Sequence, residues 1–354
     1  MKRLKRVAVI GMGAITPQGN GVEELLNNRA ALPGGSIFEG NEKIGYSRIS
    51  SPDTGKHLPG ISLRCVDNIT IYSGIASSMA IGSHFADAGI GPEKVGLALG
   101  SALGSIVSIS NFDVKALTDG PLSVNPMEFP NTVTNAPASK VGIWFKLKGP
   151  SITISNALTS STDAVGYAFD ELSYGRAQYY LAGGSEEISE KIYRGYHSAA
   201  DNGSAAREIL GEGSGMVLLS VLDENTEKPL GEICDYFTSK IPADGSYAET
   251  VSYILSSMID ANGLFPGDIK LFSSYLPYNE YSGPVCEAAA KYFGPERMVI
   301  KNRTGEASVN YLGFNGVINL ITALEEIKED PHIKAALVFD IGCDGRFSCI
   351  MVRK

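Results

Sequence analysis

One stretch, Lys148–Gly175, limits what this chain can become more than any other. Gly149-Pro150 stops whatever precedes it, and Ser151–Ser155 alternates polar with apolar, β-branched residues, the period-2 pattern of a strand. Asn156–Thr159 leaves room only for a short turn. From Ser161 the period changes. Ala164, Val165, Ala168 and Leu172 fall on one helical face, Ser, Thr and Asp crowd the first turn, and Gly175 stands where a C-cap belongs. A strand driving through a tight turn into a buried helix presents its turn residue to a pocket, with the helix N-terminus beside it. Ser160 and Ser161 read as N-caps of that helix, a routine use of serine.

The rest of the chain repeats this alternation. With 354 residues, it is longer than one ordinary core serves, and 44% apolar against 19% charged residues give it a substantial interior. Arg6–Ile10, Val95–Leu99, Ala177–Ala182 and Met216–Leu222 read as strands, with an amphipathic helix over Asp67–Gly89 and another opening at Asn135–Val141. Gly11–Asn20 reads as a structural turn; its Gly-x-Gly lacks the third glycine of a dinucleotide fingerprint, and Pro17 interrupts the helix that should follow. Gly100–Ser105 has the glycines of a phosphate cradle without a P-loop lysine, and reads as a turn packed near the elbow. After the charged seam Asp223–Lys228, strands at Gly231–Lys240, Lys270–Tyr275, Met298–Ile300, Ala335–Ile341 and Phe347–Val352 alternate with helices at Val251–Ile259, Gly283–Phe293 and Gly316–Lys328. The expectation is an α/β protein built from two duplicated halves, 1–225 and 226–354.

Several function classes drop out. A formal net charge of −9 argues against nucleic acid as the main partner. No apolar run is long enough to span a bilayer, and Val7–Ile10 is too short for a secretory signal core, so a cytoplasmic location is expected. Cys65, Cys234, Cys286, Cys343 and Cys349 show no CxxC spacing, and His57, His84, His197 and His332 share no ligand spacing, so neither disulfide framework nor metal site is expected.

Asn135–Glu187, which contains Asn156-Ala157-Leu158-Thr159-Ser160-Ser161-Thr162-Asp163-Ala164, resembles the β-ketoacyl-acyl-carrier-protein synthases, condensing enzymes of the thiolase-like fold. The opening GMGAITPQGN and the later Ile209–Gly215 resemble the same family, more strongly than anything after Lys270 does. The resemblance implies a thiolase-like five-layer αβαβα sandwich without a cofactor. In the family the elbow reads T-A-C-A-S-G-T-D-A, and its nucleophilic cysteine falls on Leu158. The histidine of H-G-T-S-T-P-L-N-D falls on Ser274, and in K-S-x-x-G-H the lysine is kept as Lys301 while the histidine becomes Glu306. The gating phenylalanine of G-F-G-G-x-N becomes Cys343. A leucine cannot carry a thioester, so the resemblance implies a site that no longer condenses.

The family's dimers pair the strand before the elbow with its two-fold mate, here Ser151, Ile152, Thr153, Ile154 and Ser155. A chain of this kind is expected to act as a chain-length factor in fatty acid, polyketide or aryl-polyene synthesis. It would pair with a cysteine-bearing ketosynthase, meet acyl carrier protein only through that partner, and contribute Ile109, Phe112 and Cys343 to the acyl tunnel. Two alternatives stay open. One is a divergent acyltransferase or decarboxylase working through Glu306, Cys343 or a serine; the other is a homodimeric acyl-binding scaffold. Much of the family's excursion after the elbow region is missing, which predicts a more open or reshaped pocket.

Overall fold

The computed structural model describes residues 4–354 apart from 28–37, 40–41, 44–45, 83, 87–88, 200–208, 224–225, 227–228, 242–246, 277–281, 295–297 and 301–308. Ten strands form the main sheet. In chain order they are β1 (Val7–Ile15), β2 (Val95–Gly100), β3 (Ser151–Ile154), β4 (Tyr179–Glu186), β5 (Gly213–Val221), β6 (Gly231–Lys240), β7 (Ile269–Tyr275), β8 (Met298–Ile300), β9 (Ala335–Ile341) and β10 (Arg346–Arg353).

Their spatial order is β8-β7-β9-β10-β6-β1-β5-β4-β2-β3. Read outward from the centre, β1-β5-β4-β2-β3 on one side becomes β6-β10-β9-β7-β8 on the other, each strand displaced by five. The strand directions repeat as well. β2 runs parallel to β3 and β4 as β7 does to β8 and β9, and the remaining neighbours are antiparallel. The two sets meet where Val7–Val9 pairs antiparallel with Gly231–Ile233.

Among the described residues, the helices that build the layers or border the site are α1 (Asn68–Ile81), α2 (Ile106–Asp119), α3 (Ala136–Trp144), α4 (Ser160–Ser173), α5 (Glu190–Ala199), α6 (Tyr247–Ala261), α7 (Ser282–Phe293) and α8 (Asn315–Glu329). α1 and α3 cover the outer face of the first set of strands, around Ile75, Val141 and Leu97. α6 and α7 cover the outer face of the second, around Leu255, Val285 and Phe272. Between the sets lie α4 and α8, sharing one core that includes Val165, Leu172, Val317 and Leu324. This is a five-layer αβαβα sandwich, the thiolase-like arrangement. Among the described residues no helix is long and apolar enough to cross a membrane.

Two elements differ from the sequence reading in instructive ways. β1 does not stop at Ile10 but runs through Gly11 and Gly13 to Ile15, and the turn is confined to Thr16–Gly19. A Cβ on Gly11 would lie 2.0 Å from the Ala80 carbonyl oxygen, and one on Gly13 2.2 Å from that of Ala76, so these glycines let α1 press onto the strand. α1 in turn is shorter than Asp67–Gly89. It is buried on nearly every face, so it carries no amphipathic signature.

Candidate functional site

Local geometry at the elbow follows from a few residues. β3 ends at Ile154, and Ala157 adopts φ +50°, a left-handed conformation costly for a residue with a side chain. One 3-10 turn, Ala157–Thr159, then feeds α4. The Ser160 hydroxyl locks the bend by accepting from the Asn156 N–H at 2.9 Å and donating to the Ala157 carbonyl at 2.6 Å. The Ser161 hydroxyl turns to the other half and accepts from the Val317 N–H at 3.2 Å, in the first turn of α8. Neither serine caps α4, as the sequence had led us to expect. Asp163 braces the turn instead. Its carboxylate accepts from Asn156 Nδ2 at 2.7 Å, Thr159 Oγ1 at 3.1 Å, Tyr236 Oη at 2.9 Å and the Ser348 hydroxyl, tying the elbow to β6 and β10.

The second half repeats the device. A 3-10 turn at Leu312–Phe314 precedes α8, and Leu312 has φ +49°. Leu158 and Leu312 share a small apolar cluster with Tyr46, Ile188 and Leu210. Both border a cavity of about 890 Å3. Its other walls come from the Ala102–Leu103 turn, the Ile106–Val107–Ser110–Asn111 face of α2, one face of α5, and the Cys343-Asp344 turn between β9 and β10. Leu158 is nearly buried, and its side chain forms part of the wall.

A carboxylate behind the wall holds two of its turns together. Glu186, fully buried at the end of β4, accepts from the backbone N–H groups of Ala102, of Leu103 at 3.3 Å and of Gly313, and from the Ser101 hydroxyl at 3.1 Å. The glycine-rich Gly100–Ser105 turn does cradle an acidic group, but an internal one. Burial pushes the Glu186 carboxyl up to about 8, against the opposing pull of those donors. Gly313 is obligatory here, because a Cβ would lie 2.4 Å from the Ala102 nitrogen and 2.5 Å from Glu186 Oε1. Beside it, burial lifts Glu187 to about 7 and raises Glu212, which accepts from Tyr72 Oη at 2.8 Å and the Ile49 N–H at 2.9 Å.

The sequence-selected residues divide clearly. Leu158 and Cys343 meet at the cavity, and Cys343 is exposed there. Ser274 lies within β7, fully buried, and donates to the Phe339 carbonyl at 2.6 Å. Ile109 and Phe112 are not part of the cavity wall. They stand on the opposite face of α2 from Ile106 and Val107, and Phe112 packs on Phe129. Lys301 and Glu306 lie outside the described residues. Ser151–Ile154 forms the open edge of the sheet, with Ser155 just beyond its end.

Residues 51–225 match the family described as the N-terminal domain of β-ketoacyl synthase. The 3-oxoacyl-(acyl-carrier-protein) synthase 2 of Staphylococcus aureus (strain COL) is 26% identical over 389 aligned positions, spanning 97% of this chain and 91% of that protein. The chain is β-ketoacyl synthase-like. The synthase 2 of Vibrio harveyi is 28% identical over 244 positions, 61% of this chain and 57% of that one. Two solved structures share the fold. One, described as the ishigamide ketosynthase/chain length factor, superposes with a TM-score of 0.84 at 22% identity, covering 98% of this chain and 99% of its own. The other, a β-ketoacyl synthase from Burkholderia phymatum STM815, gives 0.81 at 19% identity, with 99% of each chain covered.

Within this β-ketoacyl synthase-like fold, Glu186 and α5 are the site features that sequence reasoning missed. The run Gly183-Gly184-Ser185-Glu186-Glu187 carried the signal for Glu186, since two acidic residues follow directly on a run of small and apolar ones. α5 had a weaker signal, Ile192, Tyr193 and Tyr196 at helical spacing in an otherwise polar segment.

Proposed function

We propose that this chain is the non-condensing partner of a cysteine-bearing ketosynthase, contributing shape and association to a carbon-chain-building complex while forming no bond to the growing chain. The observation that carries this reading is Leu158 at the elbow. The turn offers an aliphatic side chain to the cavity, and the neighbouring hydroxyls of Ser160 and Ser161 are committed to backbone groups. Ser274 is committed in the same way. The open edge of β3 and the apolar surface near it in sequence support the association. α2 contains no buried residue, Leu117 is 85% and Leu122 100% exposed, and Met127, Phe129 and Val133 are exposed as well. A mate paired along β3 would cover that face, and such a complex would take its carrier protein through the catalytic partner.

The test is co-expression with a cysteine-bearing synthase and its carrier protein. The reading expects a stoichiometric complex, and products whose length shifts when Ile106 or Val107 is enlarged. A synthase that yields the same products with and without this chain defeats it. One observation favours a second reading. Cys343 lines the same cavity, so decarboxylation of a malonyl-carrier thioester by this chain alone, lost in Cys343→Ala, would establish an acyltransferase or decarboxylase instead.

A further inference from the structure

We infer that α5 is a movable strap over the cavity, closed by a latch in which Lys191 reaches across to Asn111 of α2. It goes beyond the non-condensing reading, because it holds whether or not the chain pairs with a synthase.

Burial sets this helix apart from the core. α4 and α8 are buried along most of their length, whereas none of the α5 residues whose side chains are described is buried. α2, which also walls the cavity, has no buried residue either. A helix with so little apolar contact opens locally at a smaller cost than unfolding the whole chain. The residue leading into α5 is held quite differently. Ile188 is 1% exposed, and its N–H donates to Glu212 Oε2 at 3.3 Å. That places a pivot at Ser189, between a fixed residue and a loosely seated helix.

Beyond the pivot, contacts of α5 run in two directions. Tyr193 packs on Tyr46 with ring centroids 5.7 Å apart, and Tyr196 Oη accepts from Asn310 Nδ2 at 3.2 Å. Lys191 turns to α2 instead, its Nζ donating to Asn111 Oδ1 at 3.2 Å. Lys191 and Asn111 both border the cavity and are both exposed, so their bond stands where the cavity meets solvent. A single hydrogen bond of this kind shifts an equilibrium by about two- to tenfold. It is strong enough to favour closure and weak enough to let the strap open.

The experiment uses Leu158→Cys as a reporter, because that side chain is nearly buried on the cavity wall. The purified full-length variant is treated with N-ethylmaleimide, and labelling at position 158 is followed by peptide mass spectrometry. Adding Asn111→Ala is expected to speed this labelling about two- to tenfold. Adding Asn111→Asp sets a carboxylate against Lys191 and is expected to slow it, less so as salt is raised. Equal rates with and without Asn111→Ala overturn the latch. Labelling as fast as in the urea-unfolded chain, or none in any variant, overturns the strap. Hydrogen exchange gives a second measurement that needs no reporter. In the parent, α5 is expected to exchange faster than α4, and in Asn111→Ala faster still. Protection of α5 equal to that of α4, or unchanged in Asn111→Ala, overturns the inference.

Discussion

The hydroxyl of Ser161 accepts a hydrogen bond from the backbone N–H of Val317 at 3.2 Å, so the first turn of α4 ties down the first turn of α8. The two helices belong to opposite halves of the repeat and together form the middle layer. Helix N-termini leave N–H groups without intrahelical partners, and a buried one must be satisfied from elsewhere. Ser161→Ala is therefore expected to lower unfolding free energy by about 1–3 kcal/mol, the cost of stranding a buried donor. Urea denaturation checks this, and a variant as stable as the parent would show that the bond contributes nothing.

Stability should also depend on pH through the carboxylates behind the cavity. Burial lifts Glu186 to about 8 and Glu187 to about 7, from a reference of 4.5. Across that interval the folded chain binds more protons than the unfolded chain, so these groups stabilise the fold at low pH. That stabilisation is lost as pH rises toward 8. Glu186→Gln cannot titrate and should remove up to about 1.4 kcal/mol per pH unit of this slope. Urea midpoints between about pH 5 and 8 measure it. An unchanged slope in the variant contradicts the assignment.

Edge pairing makes a prediction of its own. The Leu97 N–H donates to the Pro150 carbonyl and the Ser101 N–H to the Ile154 carbonyl. Even-numbered residues of β3 therefore bond inward, and the alternation leaves Thr153 facing the open edge. Thr153→Pro removes an outward N–H while sparing the bonds to β2. The expected result is loss of association on size-exclusion chromatography with an unchanged circular dichroism spectrum. An intact assembly would place the interface elsewhere.

The sequence was most legible where packing is simplest. β6 and β9 fall at Gly231–Lys240 and Ala335–Ile341 as expected, because strand-forming residues with clear breaks at their ends admit one reading. Period-based reading failed where the third dimension decides. Glycine hid the second half of β1, since the reason for it is a helix pressed onto the strand. The N-capping expected of Ser160 and Ser161 gave way to a turn lock and to a contact across 156 residues. α2 has no buried residue, so its pattern could not distinguish the Ile106–Val107 face from that of Ile109 and Phe112. Glu186 lay beyond the strand read at Ala177–Ala182, and its role needs the Ala102 and Gly313 turns in place. Leu158 was legible as a turn residue, because the change of period from strand to helix leaves it nowhere else, and it lies in the 3-10 turn on the cavity wall.

The central claim, that this chain forms no bond to the molecule it helps shape, is tested most directly by intact-mass spectrometry. The chain and its catalytic partner are incubated together with long-chain acyl and malonyl thioesters of the carrier protein, then separated and weighed. The account predicts an acyl adduct on the partner's cysteine and an unmodified mass for this chain. An acyl group on this polypeptide, mapped to Cys343 or to any serine, would contradict it.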